Sequence, residues 1–429
     1  MSKTNSTQSD QNISDLFRAF GKIGVLSFGG PAGQIALMHK VVVEEKRWLS
    51  EQQYLSALSF CMLLPGPEAM QLATYAGWRI KGVLGGLIAG LLFVLPGALV
   101  ILLLASLYAG FGAVPLVGVI FLGIKAAVVV IVIEALIKVA KRALKRLDYW
   151  MIAGLAFIAL FSLNLPFPLI ILVAAAYGAV MIDKVSDRSA TVALGQSFAG
   201  TLKTAALWLF IWLAPLAALW FFLPDHVLTE IGLFFSKLAV VTFGGAYAVL
   251  GYMAQDVVQG FGWLEAGQMM DGLGLAETTP GPLILVTEFV GFLAGFGEGG
   301  YSLAFIAAFI TLWMTFAPCF LWIFTFAPYV EWVSDQPRLK GALAGITAAV
   351  VGVILNLSIW FALHVFFTNV EQVQWAAFKI WVPDFATLDW RVVFLALISA
   401  VLLLRLKWSV LTVLGVMVVC GVGLSLAGF

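Results

Sequence analysis

The chain reads Ser27-Phe28-Gly29-Gly30-Pro31 and then Leu64-Pro65-Gly66-Pro67-Glu68; 215 positions after these it reads Thr242-Phe243-Gly244-Gly245 and Thr279-Pro280-Gly281-Pro282. The register holds without a gap between the two motifs, with Lys22 falling on Lys237, Trp48-Leu49 on Trp263-Leu264 and Leu58 on Leu273. Beyond Gly295–Gly300 the spacing lengthens to 222, which pairs Pro96 with Pro318 and Pro115 with Pro337. Self-similarity at one long period marks a duplicated structural unit. Two related halves are expected, residues 13–183 and 230–429. A polar tail at 1–12, without a signal-peptide pattern, precedes them, and a linker at 184–229 separates them.

Only 24 Lys+Arg and 23 Asp+Glu occur among 429 residues, and 62% of the chain is hydrophobic. A soluble surface cannot be made from that composition, so the expected solvent is a lipid bilayer, crossed by about 20 helical residues at a time. The fold class is accordingly an all-α polytopic membrane protein. Each half carries two apolar segments interrupted at Phe-Gly-Gly and Pro-Gly-Pro, then four uninterrupted ones. With the uncharged stretch Thr204–Leu223 of the linker, that makes about 13 membrane segments. Full crossing and re-entrant hairpins both fit the interrupted segments, because both keep the same parity.

One extra span between two such halves turns the second upside down, giving inverted-topology repeats. Charge placement agrees. Lys138–Arg146 holds five basic residues, and His39–Trp48 holds Lys40, Lys46 and Arg47, whereas Gly251–Gly272 holds Asp256, Glu265 and Asp271 with no Lys or Arg. By the positive-inside rule the N-terminus is expected in the cytoplasm and the C-terminus outside.

Glycine pairs and Pro-Gly-Pro in apolar runs break helices, since proline lacks the N–H donor and clashes with the preceding turn. Unpaired backbone at membrane depth survives only against protein or a water-filled cavity. The half-helix that starts after a break aims free N–H groups and its positive dipole end at the occupant of that cavity, an anion site. A packing kink is the alternative. The candidate substrate-binding residues are Gly29, Gly30, Pro65, Gly66, Pro67, Gly244, Gly245, Pro280, Gly281 and Pro282, with Gln71, Thr278 and Thr279 as neutral partners. Lys22 and Lys237, each six residues before its Phe-Gly-Gly, and Lys125, about ten residues into its span, would supply positive charge; snorkelling to the interface is the other reading of Lys22 and Lys237. Lys125 has Thr347 as its counterpart, so it belongs to one half only. Glu68, Glu277 and Glu288 flank the breaks and are candidates for proton coupling, or for pairing with nearby lysines. Glu134 and Lys138, four residues apart near a helix end, read as a structural pair.

Net charge of +1 argues against nucleic acid as a partner. Three dispersed cysteines and three dispersed histidines give no metal or disulfide framework, and no cofactor is implied. None of the hydrolase, metalloprotease or P-loop motifs occurs. A membrane-embedded enzyme acting on lipid is thus the lesser alternative to a carrier, and a homodimer is compatible with the sequence.

The run Ser27-Phe28-Gly29-Gly30-Pro31 with Gln34, the stretch Glu45-Lys46-Arg47-Trp48-Leu49, and Leu64–Ala73 (LPGPEAMQLA) resemble the chromate ion transporter family in its long two-domain form, as do Thr242–Gly245 and Thr279–Pro282. The second half departs from the pattern, reading PGPLILVTE. The resemblance implies export of chromate, a tetrahedral dianion shaped like sulfate, across the cell inner membrane. A sulfate or other oxyanion carrier is the alternative. Two negative charges leaving a negative-inside cell gain roughly 4–5 kcal/mol per 100 mV, so export needs no coupled proton.

Overall fold

The computed structural model describes residues 12–112, 114–181, 198–243, 246–330, 336–375 and 378–427. It is helical nearly throughout, the arrangement that satisfies backbone polar groups within each segment in lipid. In the N-terminal half lie α1 (Ile13–Leu26), α2 (Gly30–His39), α3 (Glu51–Cys61), α4 (Glu68–Phe111), α5 (Pro115–Ala143), α6 (Leu147–Phe161) and α7 (Phe167–Val180). α8 (Phe198–Phe222) follows. The C-terminal half holds α9 (Val227–Val241), α10 (Ala246–Gln255), α11 (Ala266–Thr278), α12 (Val286–Phe326), α13 (Pro337–Phe366), α14 (Trp390–Ala400) and α15 (Val410–Leu426). Among the described residues, five helical stretches are long and apolar enough to cross a membrane.

The first interrupted segment doubles back. α1 buries Leu16, Ala19, Phe20 and Ile23, one stripe at helical spacing, and ends where Gly29 turns to φ 84°, with Pro31 fitting the first turn of α2. Were α1 and α2 one straight helix, Lys22 and Glu45 would stand roughly 35 Å apart. Instead the Lys22 Nζ lies 3.8 Å from a Glu45 carboxylate oxygen, and Phe20 stacks on Trp48 at 6.3 Å between centroids. At the spacing of 215, Phe235 stacks on Trp263 at 6.5 Å, so α9 and the chain after α10 double back in the same way. α11 and α12 also fold against each other, and a Cβ on Gly272 would run into the Phe289 ring.

The two longest helical stretches are hairpins rather than rods. α4 reverses at Lys81 and Gly82 (φ 62°), which lays arm 68–80 along arm 83–111, with Gly86 and Gly90 against Thr74 and Gly77 against Gly85. α12 reverses at Gly299 and Gly300 (φ 65°), and Gly291 then meets Thr311 while Gly295 meets Ala307. Glycine permits this proximity because no Cβ intervenes, the usual means of helix association where lipid offers no hydrophobic drive. The same device joins α7 to α13 (Gly178 against Gly341, Gly345 against Ala174), α6 to α13 (Gly352 on the Ala153 carbonyl) and α5 to α15 (Gly123 on the Met417 carbonyl).

One element lies outside the all-α expectation. β1 (Val370–Trp375) and β2 (Phe378–Pro383) form an antiparallel hairpin between α13 and α14, with Gln372 opposite Trp381. α9 begins at Val227, three residues ahead of the boundary expected at 230.

Candidate functional site

The breaks come together at the meeting of the two chain halves. The Gly66 N–H donates to the Thr242 carbonyl at 2.8 Å, and the Gly281 N–H donates to the Ser27 carbonyl at 2.9 Å. Each Pro-Gly-Pro therefore caps the chain just ahead of the other half's Phe-Gly-Gly. Gly66 (φ 115°) and Gly281 (φ 90°) adopt backbone that a side chain resists. The Gln34 side-chain amide donates to the Gly281 carbonyl at 2.7 Å, and that of Gln71 donates to the Pro65 carbonyl at 2.6 Å. The long arms of the hairpins wedge against these turns: Gly97, beside Pro96, packs on the Pro280 carbonyl and the Leu285 side chain, and Cys319, beside Pro318, packs on Gly66.

Half-helices start at these turns, α2 from Gly29, α4 from Pro67 and α12 after Pro282. Their first N–H groups have no partner within the helix. Among the described residues, and leaving aside the chain neighbours, no heavy atom lies within 4 Å of where a Cβ on Gly29 or Gly30 would stand. At Gly66 and Gly281 it is filled by Gln71, Cys319, Leu285 and Gly97. Gly244 and Gly245 lie outside the described residues.

Several buried polar atoms around the turns lack partners among the described residues: the side-chain oxygens of Gln34 and Gln71, and both carboxylate oxygens of Glu288. Glu288 is 0% exposed in the first turn of α12. Glu277 accepts a hydrogen bond from the Tyr247 hydroxyl at 2.7 Å. Glu68 lies in the first turn of α4, and the Arg142 guanidinium reaches the Met62 sulfur at 3.3 Å. Thr278 and Thr279 direct their hydroxyl protons to the Leu275 and Ala276 carbonyls, closing the end of α11.

The lysines do not converge on the turns. Lys22, about half exposed, faces Glu45; Lys237 lies over the Tyr252 ring, 5.4 Å from its centroid. Lys125, on α5, pairs with Asp271 on α11 at 3.2 Å. The Tyr108 hydroxyl donates to the second Asp271 oxygen at 2.7 Å. Glu134 and Lys138 pair at 2.7 Å, as their spacing implies.

Sequence reasoning missed Asp271 and Tyr108. It used Asp271 as a loop charge that reports sidedness, whereas Asp271 is buried inside α11 at 4% exposure. A signal was available, since Asp271 is the sole charge between Glu265 and Glu277, in a stretch aligned with the apolar-rich α3.

A family model described as Chromate transporter matches residues 14–179 and again 229–424. A chromate transport protein of Pseudomonas aeruginosa is 34% identical over 79% of this chain and 78% of its own length. One from Cupriavidus metallidurans is 29% identical over 80% of each. An uncharacterized transporter of Bacillus subtilis, YwrA, is 28% identical over 39% of this chain but 96% of its own length. No solved structure matches the chain. With both halves matched and a relative of this identity spanning most of its length, the chain belongs to the chromate transporter family.

Proposed function

We propose that this protein is a secondary transporter that exports chromate from the cytoplasm, and that the oxyanion binds where the Phe-Gly-Gly and Pro-Gly-Pro turns of two inverted repeats meet. The observation that carries the reading is the reciprocal exchange of hydrogen bonds, Gly66 to Thr242 and Gly281 to Ser27. A two-fold relation between the halves accounts for such exchange, and broken helices at a repeat interface suit alternating access. The half-length relative from Bacillus subtilis supports a unit that exists singly. Transport, rather than lipid chemistry, accords with the names of the relatives.

In this reading the open backbone at Gly29 and Gly30, together with Gly244 and Gly245, offers N–H groups to the oxyanion. Gly66, Gly281 and the flanking prolines Pro65, Pro67, Pro280 and Pro282 hold the half-helices in place. Gln71, Thr278 and Thr279 line the turns, while Lys22, Lys125 and Lys237 draw the anion in. Glu68, Glu277 and Glu288 are the groups assigned to any proton coupling. The halves are residues 13–183 and 230–429, in the inner membrane, with the N-terminus cytoplasmic and the C-terminus outside. Sulfate has the same shape and charge and would meet the same donors.

Chromate-exposed cells with and without the protein test the direction. Export requires lower chromium content and better survival in cells that make it; equal or higher content would overturn export.

A further inference from the structure

Among the described residues, Lys125 is the candidate lysine whose ammonium lies nearest a carboxylate of the other chain half. Its Nζ stands 3.2 Å from one oxygen of Asp271, and the other oxygen accepts from Tyr108. Tyr108 is fixed in turn by edge contacts to Phe121 at 5.4 Å and Phe289 at 5.3 Å. The carboxylate is sealed, its side chain 6% exposed, but the lysine side chain remains 26% exposed. One turn before Asp271, α11 presents Gly267, where an added Cβ would lie 3.5 Å from the same Nζ. An ammonium has three donors, and Asp271 is the carboxylate that engages it. At Gly267 no side chain of α11 covers the ammonium, and the lysine keeps its partial exposure.

The pair also joins the two stretches that match the family: Lys125 and Tyr108 belong to residues 14–179, and Asp271 to residues 229–424. Any movement of one stretch against the other acts on it. We propose that Asp271 is the built-in counter-anion of Lys125, and that a transported oxyanion and the Asp271 carboxylate compete for that ammonium, Asp271 recapturing it as the oxyanion leaves. This rests on the oxyanion transport reading above. It assigns Asp271 a part in affinity and release, and Tyr108 the part of a positioning residue that orients the carboxylate.

The test is chromate uptake into inside-out vesicles as a function of chromate concentration, for the unaltered protein, Asp271→Asn, Tyr108→Phe and Lys125→Met. Removing the competitor should lower the half-saturating concentration severalfold in Asp271→Asn while also lowering the maximal rate, because release loses its recapturing group. Tyr108→Phe, which keeps the ring, should shift both in the same direction by less, and Lys125→Met should raise the half-saturating concentration. A pair that only fastens α5 to α11 would give lower maximal rates and lower thermal midpoints in detergent, with half-saturation unchanged. That outcome overturns the inference and leaves the transport reading standing. Vesicles in which the unaltered protein moves neither chromate nor sulfate would overturn both. Should Asp271→Asn fail to fold, Tyr108→Phe decides: unchanged half-saturation counts against the inference.

Discussion

The Gly281 N–H donates to the Ser27 carbonyl across the interface between the chain halves, 2.9 Å away, and the bond recurs with its partners exchanged at Gly66 and Thr242. Apolar helices give no direction to their own association in lipid, whereas an exposed carbonyl at a helix break must find a donor. These two bonds place the breaks of one half at those of the other, so the half-helix ends gather at one interface.

That interface depends on glycine at two positions. Gly66→Ala and Gly281→Ala force a side chain into left-handed backbone, a cost of about 1–3 kcal/mol each, and crowd Cys319 or Leu285 as well. Both variants should show lower thermal midpoints in detergent than Gly118→Ala, where the added methyl meets open space within a helix. Equal midpoints for all three would contradict the packing described.

Gln34 is 1% exposed and supplies a donor to the Gly281 carbonyl. Gln34→Leu leaves that carbonyl unpaired, at about 1–3 kcal/mol, and should lower both the thermal midpoint and chromate uptake. Unchanged uptake at the same protein level would remove Gln34 from the account.

Glu288 carries a buried carboxylate without a partner among the described residues, an arrangement that costs stability. Glu288→Gln should raise the thermal midpoint and abolish any response of uptake to an uncoupler. A lower midpoint, or an unaltered uncoupler response, would exclude Glu288 from proton coupling.

Lys22 and Lys138 are both solvent-accessible and both face a glutamate, at 3.8 and 2.7 Å. Lys22→Ala should reduce chromate uptake far more than Lys138→Ala, because Lys22 stands within two turns of the Phe-Gly-Gly break. Equal losses would place the charge that attracts the anion elsewhere.

Inversion has its own test. Cysteines introduced at Glu44 and at Gln259, equivalent positions at the spacing of 215, should react with a membrane-impermeant thiol reagent from opposite sides. Reaction from one side would rule out the inverted arrangement.

The breaks were legible because glycine and proline leave few backbone choices, and Lys125 because charge is costly in an apolar run. The choice between crossing and doubling back was not legible at Phe-Gly-Gly, since both use the same residues and parity; the Phe20–Trp48 and Phe235–Trp263 stacks, between residues distant in sequence, decide it. The Asp271 partnership was hidden for a related reason. A self-match aligns Lys125 with Thr347 and reports nothing of what faces Lys125 from the other half. The hairpin at 370–383 was hidden because Val370, Val373 and Trp375 do not alternate strictly with polar residues in its first strand, which leaves no clean period-2 signal.

The most direct test of oxyanion transport is chromate accumulation by inside-out membrane vesicles that contain the folded protein, against vesicles without it, with sulfate as competitor. Uptake should depend on the protein, fall as excess sulfate competes for the same donors, and be lost in Gly281→Ala. Vesicles with folded protein that take up neither chromate nor sulfate would contradict oxyanion transport.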